Sequence, residues 1–316
     1  MDIKNIVIAG GGVLGSQIAY QCAFKKFNVT IWLRSEASIE RAKPKLARLP
    51  EMYKADLEGL RDKCGTDFPL YPGGLVQDLK TLTPEKIDAL EADVDAAMGY
   101  IRMTTDLADA VKDADIVIES VAEQPEDKVA FYQMLAPLMP AKTILATNSS
   151  TMLPSAFAQF TGRPEKYLAM HFANEIWRNN IAEIMGHPGT DPAFADVIAE
   201  FAEKIAMVPM RLKKEQPGYI LNSLLIPFLM AAQTLVADDV ADPETIDRTW
   251  QLTNHSPLGP LHIADLVGTA TAYNITSMMP GADDPATPTG RVAVMLKKMI
   301  AEGKNGVNSG EGFFKY

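Results

Sequence analysis

Over its first two thirds the chain alternates short apolar runs with stretches of helical spacing. Ile3 to Ala9 is predominantly apolar, as expected of a strand covered on both faces in a parallel sheet. Asn28 to Leu33, Tyr100 to Thr104, Asp115 to Val121, Thr143 to Asn148, Tyr167 to Phe172 and Ile181 to Met185 repeat the pattern. Helical spacing runs from Ser16 to Phe24 and from Glu36 to Leu46. This rhythm predicts βαβ units and a doubly wound sheet. It stops near Lys213 to Gly218. Beyond that point almost only helical segments follow: Tyr219 to Ala237, bent by Pro227, then Pro243 to Leu252, Leu261 to Met278 and Ala286 to Ala301. The expected architecture is an α/β Rossmann-type doubly wound sheet over residues 1–213, followed by a smaller all-α domain over 214–316.

One stretch breaks the rhythm. Residues 35 to about 98 read as mostly helical, long for a strand-to-strand crossover, with a helical insertion at about 48–98. Thr83 is the expected N-cap of a helix that has Pro84 at its first position. A loop, FPLYPGG, precedes it. The insertion is either peripheral or a substrate-binding arm, with Lys54, Arg61 and Lys63 as anion contacts.

Between the first run and the first helix stands Gly10-Gly11-Gly12-Val13-Leu14-Gly15. Gly10, Gly12 and Gly15 fit G-x-G-x-x-G: a tight turn, a close approach of backbone to a pyrophosphate, and a close helix–strand contact. The N–H groups that open the helix then face the phosphates. The strand that ends at Leu33 is followed by Arg34 and Ser35, where nicotinamide-binding units usually carry an acid for the adenosine ribose. Leu33 can neither accept a ribose hydroxyl nor repel a 2′-phosphate. Arg34 and Ser35 can bind one. NADP is therefore the expected cofactor, with NAD the alternative. Further cofactor contacts are expected from Val13 and Leu14 in the loop and from Glu123, Lys128 and Asn148 near later strand ends. Lys128 either pairs with a nearby carboxylate or, as is commoner, is a solvated helix charge.

Net charge changes the picture only by exclusion. At −10 the chain has nothing to offset phosphate repulsion, which argues against a nucleic-acid partner. Hydrophobic residues make up 47% and charged residues 22%, an ordinary globular balance. Only Cys22 and Cys64 are present, which fits a reducing cytoplasm. The N-terminus enters its first strand with no charged-then-apolar leader. The longest apolar run, Tyr219 to Ala237, holds Asn222, Ser223, Pro227 and Gln233, so it reads as a buried helix and not a membrane span. No metal-ligand spacing is present.

The candidate chemistry lies in His171 to Glu183, HFANEIWRNNIAE. A His carries protons near neutral pH, and a carboxylate orients and charge-stabilises it. Asn148-Ser149-Ser150-Thr151 ends the preceding strand; it is either a simple turn with a helix cap or the carrier of a hydroxyl, Ser150, aimed at substrate. His187, among Gly186, Pro188 and Gly189, reads as an exposed turn residue.

Taken together, GGGVLG, TNSS, MHFANE, IAEIM, PGYILNSLLIPFLM, SPLGPLHIADLVG and the terminal GEGFFKY resemble the 3-hydroxyacyl-CoA dehydrogenase family, in its 3-hydroxybutyryl-CoA dehydrogenase group, over nearly the whole chain. The resemblance implies an NAD(P)-dependent oxidoreductase with a helical dimerisation domain, working as a homodimer on a small molecule, an acyl-CoA of fatty acid metabolism. It implies His171 as general acid–base, Glu183 as its partner, Ser150 as donor to the reacting oxygen and Asn222 as a substrate contact. The chain departs from the family pattern after the His, where FANEIWRNN replaces the usual FFNP, and at Asn222-Ser223, where Asn-Arg is common. Those changes leave open a small non-CoA 3-hydroxy acid, gulonate- or carnitine-like, with Trp177 and Arg178 shaping the pocket. A cofactor sensor without turnover is a third possibility.

Overall fold

The computed structural model describes residues 2–67 and 73–316; residues 68–72, most of the FPLYPGG loop, lie outside that set. The chain divides into two compact units, Met1–Ile220 and Leu221–Tyr316. The first unit runs past residue 213 because Tyr219 still packs into its core, against Ala169 and Met185.

The first unit is built on one sheet, eight-stranded among the described residues: β1 (Asn5–Ala9), β2 (Asn28–Trp32), β3 (Ile101–Thr104), β4 (Ile116–Glu119), β5 (Ile144–Thr147), β6 (Tyr167–Phe172), β7 (Ile181–Gly186) and β8 (Val208–Arg211). Their spatial order is β3-β2-β1-β4-β5-β6-β7-β8, and every pairing is parallel except β6 with β7. Successive strand residues point to opposite faces. Ile6 and Ile8 therefore join one buried cluster while Val7 and Ala9 join the other. Burial on both faces explains why the runs are almost continuously apolar. The sequence pattern did not predict β8. Pro209 interrupts it, and Pro is tolerated in a strand that lies at a sheet edge, as this one does.

Helices cover the two faces: α1 (Val13–Phe24), α2 (Glu36–Ala47), α3 (Leu49–Glu58), α4 (Pro84–Ala97), α5 (Leu107–Val111), α6 (Pro125–Leu135) and α7 (Pro192–Lys204). Thr83 caps α4 by accepting from Lys86 N, with Pro84 at the first position. The insertion is part of the core. Tyr20 on α1 donates to Val94 O at 2.8 Å, and Tyr53 on α3 donates to Gln21 Oε1 at 2.8 Å. Lys54 is paired with Asp95 and Arg61 with Asp88 and Glu58, so these two cations brace α3 against α4 or close its end.

The second unit holds α8 (Leu221–Ala237), α9 (Pro243–Asn254), α10 (Pro260–Val267), α11 (Thr269–Ser277) and α12 (Pro288–Ala301). The segment expected as one helix from Leu261 to Met278 is two, because Gly268 takes φ +91° between them. Buried Asp265 accepts from Phe313 N and Phe314 N, both at 2.9 Å, and so pins the terminal GEGFFKY segment. Pro227 lies inside α8. Among the described residues no helix is long and apolar enough to cross a membrane.

Candidate active site

The glycine turn joins β1 to α1. Gly10 adopts φ +120°, and a Cβ there would lie 2.2 Å from Ser120 O; a Cβ on Gly15 would lie 2.3 Å from Gly10 O. Only glycine fits either position. Gly12 is different: nothing lies within 4 Å of the place its Cβ would take, so this corner of the turn borders open space. Gly12 is also the N-cap of α1, makes no side-chain cap bond, and is followed by no acid in the first helical turn. Open space, unopposed N–H groups on Val13, Leu14 and Gly15 and the positive end of a helix dipole fit a pyrophosphate.

At the end of β2, Leu33 turns inward and fills the space beside Gly11, whose Cβ would meet the Leu33 side chain at 2.7 Å. Arg34 is exposed. Ser35 caps α2, with its Oγ 3.0 Å from Ser38 Oγ. Two more cations stand close by: Arg41 donates to Ser38 Oγ at 2.7 Å, and Lys45 to Gly11 O at 3.3 Å.

His171 and Glu183, twelve positions apart in sequence, are direct cross-strand partners in the antiparallel β6–β7 pair. Partners in register project to the same face. Nδ1 of His171 lies 3.0 Å from Glu183 Oε2, and Nε2 lies 3.3 Å from Ser150 Oγ. The carboxylate can only accept, so Nδ1 carries the proton and Nε2 is the free base facing the Ser150 hydroxyl. His171 is 4% exposed and Glu183 1%. Glu183 Oε1 accepts from Ile220 N at 2.9 Å, which fixes the carboxylate from the other side.

The turn carrying Ser150 is held by Glu123. Its Oε1 accepts from Ser149 Oγ, from Ser150 N at 3.0 Å, and from Thr151 N and Oγ1 at 3.1 and 3.0 Å. Its Oε2 lies 3.1 Å from Lys128 Nζ. Lys128 is not the solvated charge that its helix position made the commoner expectation. It is 1% exposed and also donates to Glu119 Oε1 at 2.8 Å. Glu119, 0% exposed, further accepts from Tyr132 Oη and Thr147 Oγ1, each at 2.7 Å, and from Val121 N at 2.8 Å. Burial pushes the Tyr132 phenol well up, so it stays a donor. Burial alone would raise the Glu123 carboxyl too, but Lys128 and the turn's donors outweigh it and hold the group below its ordinary value. A folded-state value below the unfolded one means that this anchor stabilises fully above the ordinary carboxylate range. The contribution is lost as pH falls through the depressed value.

Other expected residues take structural places. Asn148 accepts from Phe172 N at 3.1 Å and reaches Ser120 Oγ at 3.5 Å, stitching the strand of His171 to the end of β4. His187 bridges Pro164 O and Gly189 N in a turn. Asn222 belongs to the second unit, half-buried in the first turn of α8. Trp177 and Arg178 are both engaged by Asp56. Trp177 is 0% exposed, and its Nε1 donates to Asp56 at 2.6 Å, while Arg178 grips both oxygens of Asp56 at 2.7 and 2.9 Å. The loop after His171 is thereby tied to α3 of the insertion. Sequence reading missed Tyr219, whose ring stacks on His171 with centroids 4.3 Å apart and an interplanar angle of 11°. The aromatic just after Pro217-Gly218 was the one available signal.

A dinucleotide turn after the first strand, with Ser150 facing a buried His171–Glu183 pair on the same sheet, defines a nicotinamide-dependent oxidoreductase that moves a proton at an alcohol or carbonyl oxygen. The family model described as "3-hydroxyacyl-CoA dehydrogenase, NAD binding domain" matches residues 74–216, and "3-hydroxyacyl-CoA dehydrogenase, C-terminal domain" matches 218–316. The glycine turn lies ahead of these matches, but full-length relatives cover it. A probable 3-hydroxybutyryl-CoA dehydrogenase of Deinococcus radiodurans is 30% identical, covering 98% of this chain and 99% of that protein. Among solved structures, a diketoreductase described in connection with dual catalysis of dicarbonyl compounds is 42% identical over 100% of both chains, with a TM-score of 0.84. The (S)-3-hydroxybutyryl-CoA dehydrogenase of Ralstonia eutropha is 26% identical over 100% of this chain and 99% of that one, with a TM-score of 0.75. The chain belongs to the 3-hydroxyacyl-CoA dehydrogenase family.

Proposed function

We propose that this chain interconverts the 3-hydroxy and 3-oxo forms of an acyl compound, with a 3-hydroxyacyl-CoA such as 3-hydroxybutyryl-CoA as substrate. The observation that carries this reading is His171 Nε2, facing Ser150 Oγ while Nδ1 is held by buried Glu183. In the oxidative direction His171 takes the hydroxyl proton at Nε2, and Glu183 stabilises the imidazolium that results. Ser150 Oγ holds the reacting oxygen in line with that nitrogen. The nicotinamide, when bound, supplies the hydride chemistry. The family resemblance assigns a substrate contact to Asn222 as well, at the start of α8. A sensor without turnover would have no use for a buried proton pair.

A second reading concerns the carrier and not the reaction. The diketoreductase matches end to end at 42% identity, against 26–30% for the CoA dehydrogenases compared above, which favours free dicarbonyl compounds as additional or preferred substrates. The test is kcat/KM for acetoacetyl-CoA and for a free 3-oxo ester. Turnover of acetoacetyl-CoA is the expected result. A kcat/KM for the free ester higher than for the CoA compound would establish the second reading, and no turnover of either would overturn both.

For the cofactor, the family's NAD-binding description supports a nicotinamide dinucleotide. We read this chain as preferring NADP. Leu33 offers no acceptor to the adenosine ribose, and Arg34, Ser35, Arg41 and Lys45 gather positive charge and a hydroxyl around the end of β2. Arg34→Ala is expected to weaken NADPH about tenfold or more, the scale of one charge-assisted hydrogen bond, and NADH much less. Fluorescence titration of both cofactors checks this, and equal losses would remove the reading.

Assembly as a homodimer through the helical unit is supported by its exposed apolar side chains, among them Leu224 at 69%, Leu252 at 67% and Met278 at 76%. Sedimentation of the full chain should report a dimer.

A further inference from the structure

We infer that Tyr219 is a positioning residue for proton transfer, one side chain that fixes the plane of His171 and the turn carrying Ser150 together; this rests on the functional reading above. Four observations support it. The phenol ring lies flat on the imidazole, 4.3 Å between centroids and 11° between planes, closing one face of the base. The hydroxyl donates to Ser149 O at 2.6 Å, one residue before Ser150. Burial pushes this phenol up, so it stays a donor across the working range. The backbone takes φ +55° directly after Gly218 at φ +78°. A bulky residue in that region is strained and persists only where its surroundings over-determine it.

The surroundings do so. Tyr219 N donates to Gln216 O at 3.0 Å, and the ring sits 1% exposed among Ala169 and Met185. The next backbone N–H, from Ile220, holds Glu183 Oε1 at 2.9 Å. Two consecutive residues thus touch the base, its carboxylate and the neighbour of its hydroxyl partner. A tyrosine that only filled the core would need neither the parallel stack nor the bond to Ser149. The ring also matters electrostatically. An aromatic face attracts the imidazolium that forms when His171 takes a proton, and adds to the attraction of Glu183, while Glu123 holds the same turn through Ser150 N.

The test uses the full chain with Tyr219→Phe and Tyr219→Leu. Tyr219→Phe keeps the stack and loses the Ser149 bond: kcat should fall about three- to tenfold with KM nearly unchanged. Tyr219→Leu loses both: kcat should fall about tenfold or more. The acidic limb of its pH–rate profile should move to lower pH by about half a unit to one unit, because the imidazolium loses an attractive face. Proton NMR gives a readout free of turnover. The His171 Cε1–H resonance, assigned with His171→Gln, should lie upfield in the parent and in Tyr219→Phe and move downfield in Tyr219→Leu. Unchanged resonance, profile and kcat in Tyr219→Leu would overturn the positioning role. A parent with the upfield resonance but no activity on 3-oxo compounds would instead overturn the functional reading and leave the stack intact.

Discussion

His171→Gln should lower turnover about 10²- to 10⁴-fold, the usual scale of general acid–base assistance, while dinucleotide affinity stays nearly unchanged. The amide can still hydrogen-bond Glu183 and Ser150, but it cannot take a proton at working pH. The binding turn at Gly10 to Gly15 joins β1 to α1, whereas the pair stands on β6 and β7. Glu183→Gln should slow turnover as well. The imidazolium then lacks its buried counter-charge, so the base protonates less readily and the acidic limb of the pH–rate profile moves to lower pH. Steady-state kinetics over a pH series and a cofactor titration check both variants. A His171→Gln enzyme retaining most of its kcat would mean that another group carries the proton.

Lys128→Met should be the most destabilising single change in the first unit. Lys128 and Glu119 are 1% and 0% exposed and lie 2.8 Å apart. Removing one partner of such a pair leaves an uncompensated charge in the interior and costs about 3–5 kcal/mol. For a unit of this size that is a fall in Tm on the order of 10 °C. Catalysis should suffer beyond stability, because the same Nζ lies 3.1 Å from Glu123 Oε2, and Glu123 holds the Ser150 turn. Thermal unfolding of Lys128→Met, Glu119→Gln and the double variant measures the coupling. The double variant should cost less than the two single losses added. Full additivity, or a Lys128→Met loss under about 1 kcal/mol, would show that the pair is not the constraint argued from its burial.

Local pattern alone carried most of the scaffold. Seven of the eight described strands appear as mainly apolar runs, since a strand covered on both faces is apolar at most positions. Thr83-Pro84 announced its helix through cap chemistry, and the glycine turn announced itself because only glycine fits at Gly10 and Gly15. His171, Glu183 and Ser150 could be picked out from motif order.

What the sequence could not supply was pairing across the fold. The twelve-residue spacing of His171 and Glu183 becomes a contact only because β7 runs antiparallel to β6 in one register; a slip of one residue would turn the two side chains to opposite faces. Lys128 reads the same in sequence whether solvated or buried, and only the β4–α6 crossover puts Glu119 beside it. Trp177 and Arg178 gave no sign in sequence of their shared partner Asp56, 121 positions before Trp177. Tyr219 read as the first residue of a long apolar helix, yet it stacks on the base. Periodicity and turn chemistry act between near neighbours and are written in the sequence. Which charges neutralise each other, and which ring covers the imidazole, depend on strand register and crossover, and these the tertiary structure alone decides.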